Sequence, residues 1–102
     1  MLFITSNISI ADTEIEFTAI RSQGPGGQNV NKVSSAIHLR FDIRASSLPD
    51  MYKERMLKLK DHRITKEAVV VIKAQRYRSQ DKNRAAALQR LQTLLQSVIH
   101  NP

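Results

Sequence analysis

Apolar and polar residues alternate through residues 36–43, which read Ala36-Ile37-His38-Leu39-Arg40-Phe41-Asp42-Ile43. Successive side chains of a β-strand point to opposite faces of the sheet. The period of two therefore places four apolar side chains on one face and the polar side chains His38, Arg40 and Asp42 on the other. The stretch predicts a strand of a sheet with one face toward a hydrophobic core and the other toward water.

Further strands and two helices are predicted around this stretch. Residues 15–19 also alternate, residues 68–74 are rich in β-branched side chains and suggest a central strand, and another short strand is expected near Phe3 or Ile8. A helix is expected to start at Ser47 as its N-cap, with Pro49 and Asp50 in its first turn. A longer helix is expected over about residues 79–99, with Ser79 as its cap.

Apolar residues at helical spacing predict how the two helices pack. The first helix is expected to bury Leu48, Met51, Tyr52, Met56 and Leu59, and the second Ala85, Leu88, Leu91, Leu95 and Val98 or Ile99. The fold class is therefore α+β: a single layer of mainly antiparallel sheet, of three to four strands, with two helices on one face. We expect residues 1–102 to form a single domain.

Composition limits the possible functions. The 102 residues carry 16 Lys and Arg against 9 Asp and Glu, a net charge of +7, and no Cys. The absence of Cys excludes a disulfide framework, a thiolate zinc site and a cysteine nucleophile. The N-terminus has no long apolar run, so we expect a cytoplasmic protein that does not enter the membrane. The unbalanced positive charge lies mainly in residues 21–32 and 73–84, which predicts an acidic partner such as RNA.

All three glycines lie within residues 24–27. The connection between the strands around Ile20 and Ala36 is far longer than a tight hairpin of about two to five residues requires. It is either a flexible linker that tolerates glycine or a loop whose backbone approaches a ligand closely. The sequence pattern of a nucleotide-binding P-loop is absent. The Gln28 amide both donates and accepts hydrogen bonds but is no base, so a catalytic role would be to place water or stabilise an oxyanion.

Two motifs carry a specific resemblance to a known family. The first reads Arg21-Ser22-Gln23-Gly24-Pro25-Gly26-Gly27-Gln28-Asn29-Val30-Asn31-Lys32-Val33, and the second reads Gln75-Arg76-Tyr77-Arg78-Ser79-Gln80-Asp81-Lys82-Asn83-Arg84-Ala85-Ala86-Ala87-Leu88. They resemble the Gly-Gly-Gln (GGQ) signature and the downstream Arg-Ser-Gln-x-x-Asn motif of the catalytic domain of class I peptide-chain release factors. The resemblance covers nearly the whole chain, and the helix after residue 49 is most similar to the small ribosome-rescue peptidyl-tRNA hydrolases of the alternative ribosome-rescue factor B type.

The resemblance implies hydrolysis of the ester between a nascent peptide and the terminal ribose of tRNA, in the peptidyl-transferase centre of a stalled ribosome. It implies no metal and no cofactor, a monomer, and the ribosome and peptidyl-tRNA as partners. The implied catalytic residues are Gly26, Gly27 and Gln28. The implied contacts to ribosomal RNA and tRNA are Arg21, Gln23, Gly24, Pro25, Asn31, Lys32, Arg76, Arg78, Ser79, Gln80, Lys82, Asn83 and Arg84.

One alternative function and two departures from the family accompany this interpretation. The basic surface alone also fits a non-catalytic module that binds RNA or the ribosome, and only the intact GGQ triplet favours the enzyme. Full release factors carry codon-reading domains for which 102 residues leave no room, so we expect codon-independent action. Ribosome-rescue relatives usually end in a long basic tail, and we expect the domain without such a tail to bind stalled ribosomes poorly.

No metal site is predicted from the histidines, because His38, His62 and His100 lack the spacing of metal ligands.

The glycine-rich segment generates a prediction about dynamics. We expect residues 23–31 to be mobile in the free protein and ordered on the ribosome, because the flanking residues are largely polar. Amide relaxation measured along the free chain checks this, and uniformly rigid values across the segment would contradict it.

Overall fold

The computed structural model describes residues 1–20 and 36–100, which form two antiparallel sheets and two α-helices. Strands β1 (Leu2–Phe3) and β2 (Ser9–Ile10) pair with each other, and a 3-10 turn covers Asp12–Glu14. The larger sheet has the order β3-β4-β5, formed by β3 (Ile15–Ile20), β4 (Ala36–Asp42) and β5 (Val69–Ala74). Helix α1 (Asp50–Lys58) connects β4 to β5, and helix α2 (Gln80–His100) follows β5. The predicted α+β class is confirmed.

The hydrophobic core lies between the larger sheet and α2. Ile37, Leu39 and Phe41 of β4 are buried, as the alternation predicts, and α2 packs across β4 and β5. The helix α1 packs against α2 and buries Met56. The side chains of Gln92 and Gln96 on α2 donate hydrogen bonds to backbone carbonyls of the β1 segment, which attaches the small sheet to the same helix.

Three expectations about the strands need correction. The central strand is β4 and not the β-branched stretch at 68–74, because β5 lies on the outer side of the β3-β4-β5 order. The outer edge of β5 is covered by the turn before it, where the Val71 N–H donates to the Arg63 carbonyl at 2.8 Å, so this strand is buried without being central. Ala68 lies before the strand, with a φ of 65° in a turn closed by its N–H on the Thr65 carbonyl. The single short strand expected near Phe3 or Ile8 is a pair.

The start and the packing of α1 also differ from expectation. Ser47 is not the N-cap, because both its N–H and its hydroxyl donate to the Glu14 carboxylate; Pro49 occupies the cap position instead. Leu48 and Met56 are buried as predicted and Tyr52 is partly buried. Met51 and Leu59, however, are 52% and 37% exposed, because α1 contributes only a narrow stripe to the core.

Helix α2 begins as predicted. The Lys82 N–H donates to the Ser79 hydroxyl at 3.2 Å, the hydrogen bond expected of an N-cap. Leu91, Leu95 and Val98 are buried as predicted, whereas at the start of the predicted stripe Ala85 is exposed and Leu88 only half-buried. The buried residues of α2 are Asn83, Ala87, Leu91, Leu94, Leu95 and Val98.

Glu14 ties the N-terminal turn to the segment that precedes α1. Its carboxylate accepts hydrogen bonds from the Ala11 N–H at 2.8 Å, the Ser47 N–H at 2.6 Å and the Ser47 hydroxyl at 2.9 Å. Burial by itself would raise the pKa of Glu14, but these hydrogen bonds and the charge of Lys53 together lower it. The ionised form of Glu14 therefore stabilises the folded chain.

Replacing Glu14 tests this tie. We expect Glu14→Gln to reduce the free energy of unfolding by about 1 to 2 kcal/mol at neutral pH, because an amide accepts through one oxygen only and carries no charge. A folded-state pKa below the ordinary value of 4.5 means that the contribution is complete above that pH and is lost as the pH falls below it. The difference between wild type and variant, measured by urea unfolding, should therefore shrink at pH 3.

The matched control is Glu16→Gln, which removes an exposed carboxylate paired with Arg40 at 3.8 Å. Exposed pairs of this kind contribute roughly 0 to 1 kcal/mol, so the control should change stability little. Equal losses in both variants, or a loss at Glu14 that does not depend on pH, would contradict the assignment.

Candidate functional site

The glycine-rich segment and the second motif leave the larger sheet at the same end. Ile20, the last residue of β3, pairs with Ala36, the first of β4, and the neighbouring Ile37 pairs with Ala74, the last of β5. Residues 21–35 therefore join two paired strand ends, and residues 75–79 start two strand spacings away, about 10 Å. The chain thus leaves the sheet toward both stretches of unbalanced positive charge at one end of the sheet, marked by Ile20, Ala36 and Ala74, which we call the basic end.

The described residues at the basic end are mostly exposed and cationic. Arg76, Arg78 and Lys82 are exposed. Arg84 is held in place, with its guanidinium carbon 5.3 Å from the centroid of the Phe17 ring and its Nη1 3.8 Å from the Asp81 carboxylate. This contact joins the start of α2 to β3, so Arg84 supports the fold as well as the charge. Ser79 caps α2 and the exposed Gln80 opens it.

Asn83 is in the core and not on the surface. Its side chain is 0% exposed; its Oδ1 accepts a hydrogen bond from the Tyr77 N–H at 3.0 Å, and its Nδ2 donates to the Tyr77 carbonyl at 2.9 Å. The expectation that the Asn83 amide contacts RNA therefore needs correction, because that side chain faces the protein backbone. Asn83 instead fixes the segment that presents Arg76 and Arg78.

A groove flanks the basic end along the outer face of α2. It has a volume of about 520 Å³, and its walls include Leu59, Asp61, Arg63, Arg76, Tyr77 and Arg90. Arg63 donates to both carboxylate oxygens of Asp61, through Nε at 2.9 Å and Nη2 at 2.8 Å. These bonds hold the pKa of Asp61 well below its usual range and raise the pKa of Arg63, so both groups are charged at neutral pH. Arg90 Nη1 donates to the Lys73 carbonyl at 2.9 Å.

The imidazole on the open face of the sheet adds little charge at neutral pH. His38 lies there between Thr18 and Lys73 in the strand register. Partial burial and the charge of Lys73 lower the pKa of His38, so this imidazole is neutral near pH 7. In residues 1–20 and 36–100 no cluster of His, Asp or Glu is arranged to hold a metal ion, and neither helix there is long and apolar enough to cross a membrane.

Nine of the predicted site residues lie outside the part of the chain that the structure describes. They are Arg21, Gln23, Gly24, Pro25, Gly26, Gly27, Gln28, Asn31 and Lys32. The prediction about the mobility of residues 23–31 also falls there. What the structure does place is the pair of strand ends from which this segment starts and to which it returns, Ile20 and Ala36.

Comparison with known proteins identifies the family. The model of the RF-1 domain matches residues 4–101. The chain belongs to the RF-1 domain family. This membership confirms the resemblance to the catalytic domain of class I release factors, and the observed antiparallel sheet with two helices is the fold expected for an RF-1 domain.

Three relatives of this RF-1 domain show how far the similarity extends. Peptidyl-tRNA hydrolase ArfB of Pseudomonas putida is 65% identical over 95 residues, which cover 93% of this chain and 69% of that protein. Large ribosomal subunit protein mL62 of Mus musculus is 32% identical over 76 residues, 74% of this chain and 37% of that protein. Peptide chain release factor 2 of Beutenbergia cavernae is 34% identical over 91 residues, 89% of this chain and 18% of that protein.

Sequence patterns did not identify every residue gathered near the basic end of this RF-1 domain. Arg63, Tyr77 and Arg90 line one groove with Arg76 but come from three separate segments, so no spacing rule groups them. The one signal available for Tyr77 was its position as an aromatic residue between two arginines in a short connection. Arg63 and Arg90 had no such signal, because only the folded chain brings them together.

The role of Asn83 can be tested by removing its amide. We expect Asn83→Ala to lower the free energy of unfolding by about 2 to 3 kcal/mol, because the Tyr77 N–H and carbonyl lose their partners and a buried volume is left empty. Urea unfolding measures the change. The neighbouring Lys82→Ala, at an exposed position, is the control and should stay within about 0.5 kcal/mol of wild type. Wild-type stability in Asn83→Ala would show that the amide does not hold the segment.

Proposed function

We propose that this chain hydrolyses the ester of peptidyl-tRNA on stalled ribosomes, without reading a codon. The observation that carries the proposal is the GGQ triplet in a segment that joins two paired strand ends at the basic end of the fold. Family membership supports it, as does the 65% identity to a protein named peptidyl-tRNA hydrolase. The identity to that hydrolase is about twice the 34% found with the codon-reading class, peptide chain release factor 2, which favours codon-independent action.

The proposed reaction is attack of water on the ester carbonyl. The water oxygen bonds to the carbonyl carbon, the bond from that carbon to the ribose oxygen breaks, and the proton that the water loses passes to the ribose oxygen, which leaves a free carboxyl group on the peptide and a hydroxyl on the ribose. Gln28 positions the water through its side-chain amide and offers its backbone N–H to the negative charge that develops. Gly26 and Gly27 allow the backbone to approach the ester closely, since neither carries a side chain.

The basic end is proposed to bind RNA phosphates around this reaction. Electrostatic contacts of Lys and Arg to phosphate position a protein on nucleic acid without reading sequence. The proposed contacts from the described residues are Arg76, Arg78, Ser79, Gln80, Lys82 and Arg84, and those from the glycine-rich segment are Arg21, Gln23, Gly24, Pro25, Asn31 and Lys32. Asn83 acts as a positioning residue behind them.

The remaining parts of the proposal concern the setting of the reaction. We place the contacts on large-subunit RNA at the peptidyl-transferase centre, with the protein acting as a monomer in the cytoplasm and without a cofactor. We also treat residues 1–102 as one domain, which is supported by a single cluster of buried residues that runs from Ile4 in the N-terminal segment to Val98 in α2.

A second candidate is a non-catalytic module that binds ribosomal RNA through the same surface. The net charge of +7 and the exposed Arg and Lys at the basic end favour this candidate, because a cationic surface favours RNA binding and does not by itself imply hydrolysis. Salt dependence does not separate the two candidates, because both bind through phosphates. Turnover does.

The decisive experiment measures peptide release from ribosomes stalled without a stop codon, using this chain and a version extended by a basic tail. We expect Gln28→Ala, which removes the amide that positions the water, and Gly27→Ala, whose added methyl group hinders the close approach of the backbone to the ester, each to reduce the release rate by roughly 10² to 10³, an effect as large as the loss of one oxyanion donor. Co-sedimentation with ribosomes should be unchanged in both variants.

Glu54→Ala is the control for this assay, because Glu54 is exposed on α1 and outside the basic end. Its release rate should equal that of wild type. Release that persists in Gln28→Ala would sink the proposed chemistry. Ribosome binding without any release by the wild-type chain would establish the RNA-binding module instead.

A further inference from the structure

The groove along α2 lies beside the basic end and is not used by the proposed reaction. It is bounded by the outer face of α2, the turn after α1 and the connection after β5. Its volume of about 520 Å³ falls within the range of about 300 to 1,000 Å³ that is usual for sites that hold a small ligand. We call it the α2 groove and ask which ligand its walls fit.

The charge of the α2 groove favours an anion. Three arginines line it against one carboxylate, Asp61. Both oxygens of Asp61 accept hydrogen bonds from Arg63, so this carboxylate is neutralised by a neighbour within the groove wall. Arg76 and Arg90 add two further positive charges to the groove wall. Arg90 donates through Nη1 to the Lys73 carbonyl, but a guanidinium carries five donors, so others are left for phosphate oxygens.

The α2 groove also presents an exposed aromatic ring on a fixed backbone. Tyr77 is 40% exposed, and the Arg76 guanidinium carbon lies 5.9 Å from the centroid of its ring. The backbone N–H and carbonyl of Tyr77 are both bonded to the buried amide of Asn83. The backbone that carries the ring is thus fixed before binding, so only the side-chain torsions of Tyr77 lose conformational entropy when a base stacks on the ring.

We propose that the α2 groove binds one unpaired nucleotide of ribosomal RNA, with its base stacked on Tyr77 and its flanking phosphates on Arg76 and Arg90. The Arg76 guanidinium lies over one face of the Tyr77 ring, so the base stacks on the other face. An aromatic ring with two guanidinium groups in the same groove matches the base and backbone of single-stranded nucleic acid. Ribosomal RNA is the source because the groove extends along α2 to Thr93 and Ser97, away from the sheet end where the GGQ segment starts and where the tRNA terminus is placed. The choice of ribosomal RNA as the source rests on the proposed function. The inference that the groove binds a nucleotide does not depend on that function.

The first test uses a fluorescein-labelled hexamer of adenylate and measures its binding by anisotropy over a range of salt. Stacking of one base typically changes affinity by roughly 5- to 100-fold, so Tyr77→Ala should weaken binding by that order while Tyr77→Phe retains it. The slope of log affinity against log salt should be unchanged in Tyr77→Ala. In Arg90→Gln it should fall by about 0.7, the value for one phosphate contact to a single strand.

Lys66→Gln is the matched control, because Lys66 is an exposed cation in the turn before β5 and not in the α2 groove. Its affinity and slope should stay at wild-type values. Equal affinity in wild type and Tyr77→Ala would overturn the proposal, as would an Arg90→Gln slope equal to that of wild type.

A second measurement does not depend on the folding of a variant at Tyr77. The chain has two tyrosines and no tryptophan, so Tyr52→Phe leaves Tyr77 as the only strong fluorophore. Addition of the unlabelled adenylate hexamer should quench this fluorescence through stacking. Unchanged emission at saturating hexamer would contradict stacking on Tyr77.

The source of the nucleotide is tested on stalled ribosomes. A photoreactive phenylalanine analogue in place of Thr93, on the groove wall, should cross-link to ribosomal RNA, and a cross-link to tRNA instead would overturn the ribosomal source. Gln28→Ala should bind the hexamer as wild type does. If the proposed hydrolysis fails while Tyr77→Ala still weakens hexamer binding, only the catalytic proposal is lost.

Discussion

The pairing of β4 with a strand on each side is the constraint on which the rest of the structure depends. Both neighbours run antiparallel to β4, so β3 and β5 end where β4 begins. The register also sets which side chains are buried, because a slip of one residue would turn Leu39 and Phe41 to water and His38 and Arg40 into the core. This pairing also sets the shared end of the sheet at which the chain leaves β3 and β5 toward the two motifs.

Asn83 connects that buried arrangement to the surface. A buried amide is costly when unpaired, but here both of its polar groups bond to the backbone of Tyr77. The family motif suggested Asn83 as an RNA contact, but its side chain is buried and holds the backbone of an exposed, strongly cationic segment in a defined conformation. Rigidity at this place reduces the entropy lost when a ligand binds.

The proposed chemistry and the charge of the chain serve different purposes. Hydrolysis through a glutamine amide and a backbone N–H needs no group that titrates near neutral pH. The positive charge comes from Arg and Lys, which stay ionised, while the pKa of His38 is lowered and this group contributes no charge near pH 7. Under this proposal, binding to RNA and stabilisation of the transition state can therefore be changed independently by substitution.

Local pattern by itself predicted the strands at 15–19 and 36–43, which the structure has at Ile15–Ile20 and Ala36–Asp42, as well as the long helix with its Ser79 cap, the α+β class and the two motifs, since each depends on residues close together in the chain. Tertiary structure decided the order of the strands, the cap of α1 and the burial of Asn83. Ser47 is bonded to the Glu14 carboxylate and therefore does not cap α1. The outer edge of β5 is bonded to the turn at Arg63 through the Val71 N–H. Both hydrogen bonds join different segments of the fold. The meeting of Arg76, Tyr77 and Arg90 in one groove was likewise set only by folding, because contacts between remote residues leave no periodic signal in the sequence.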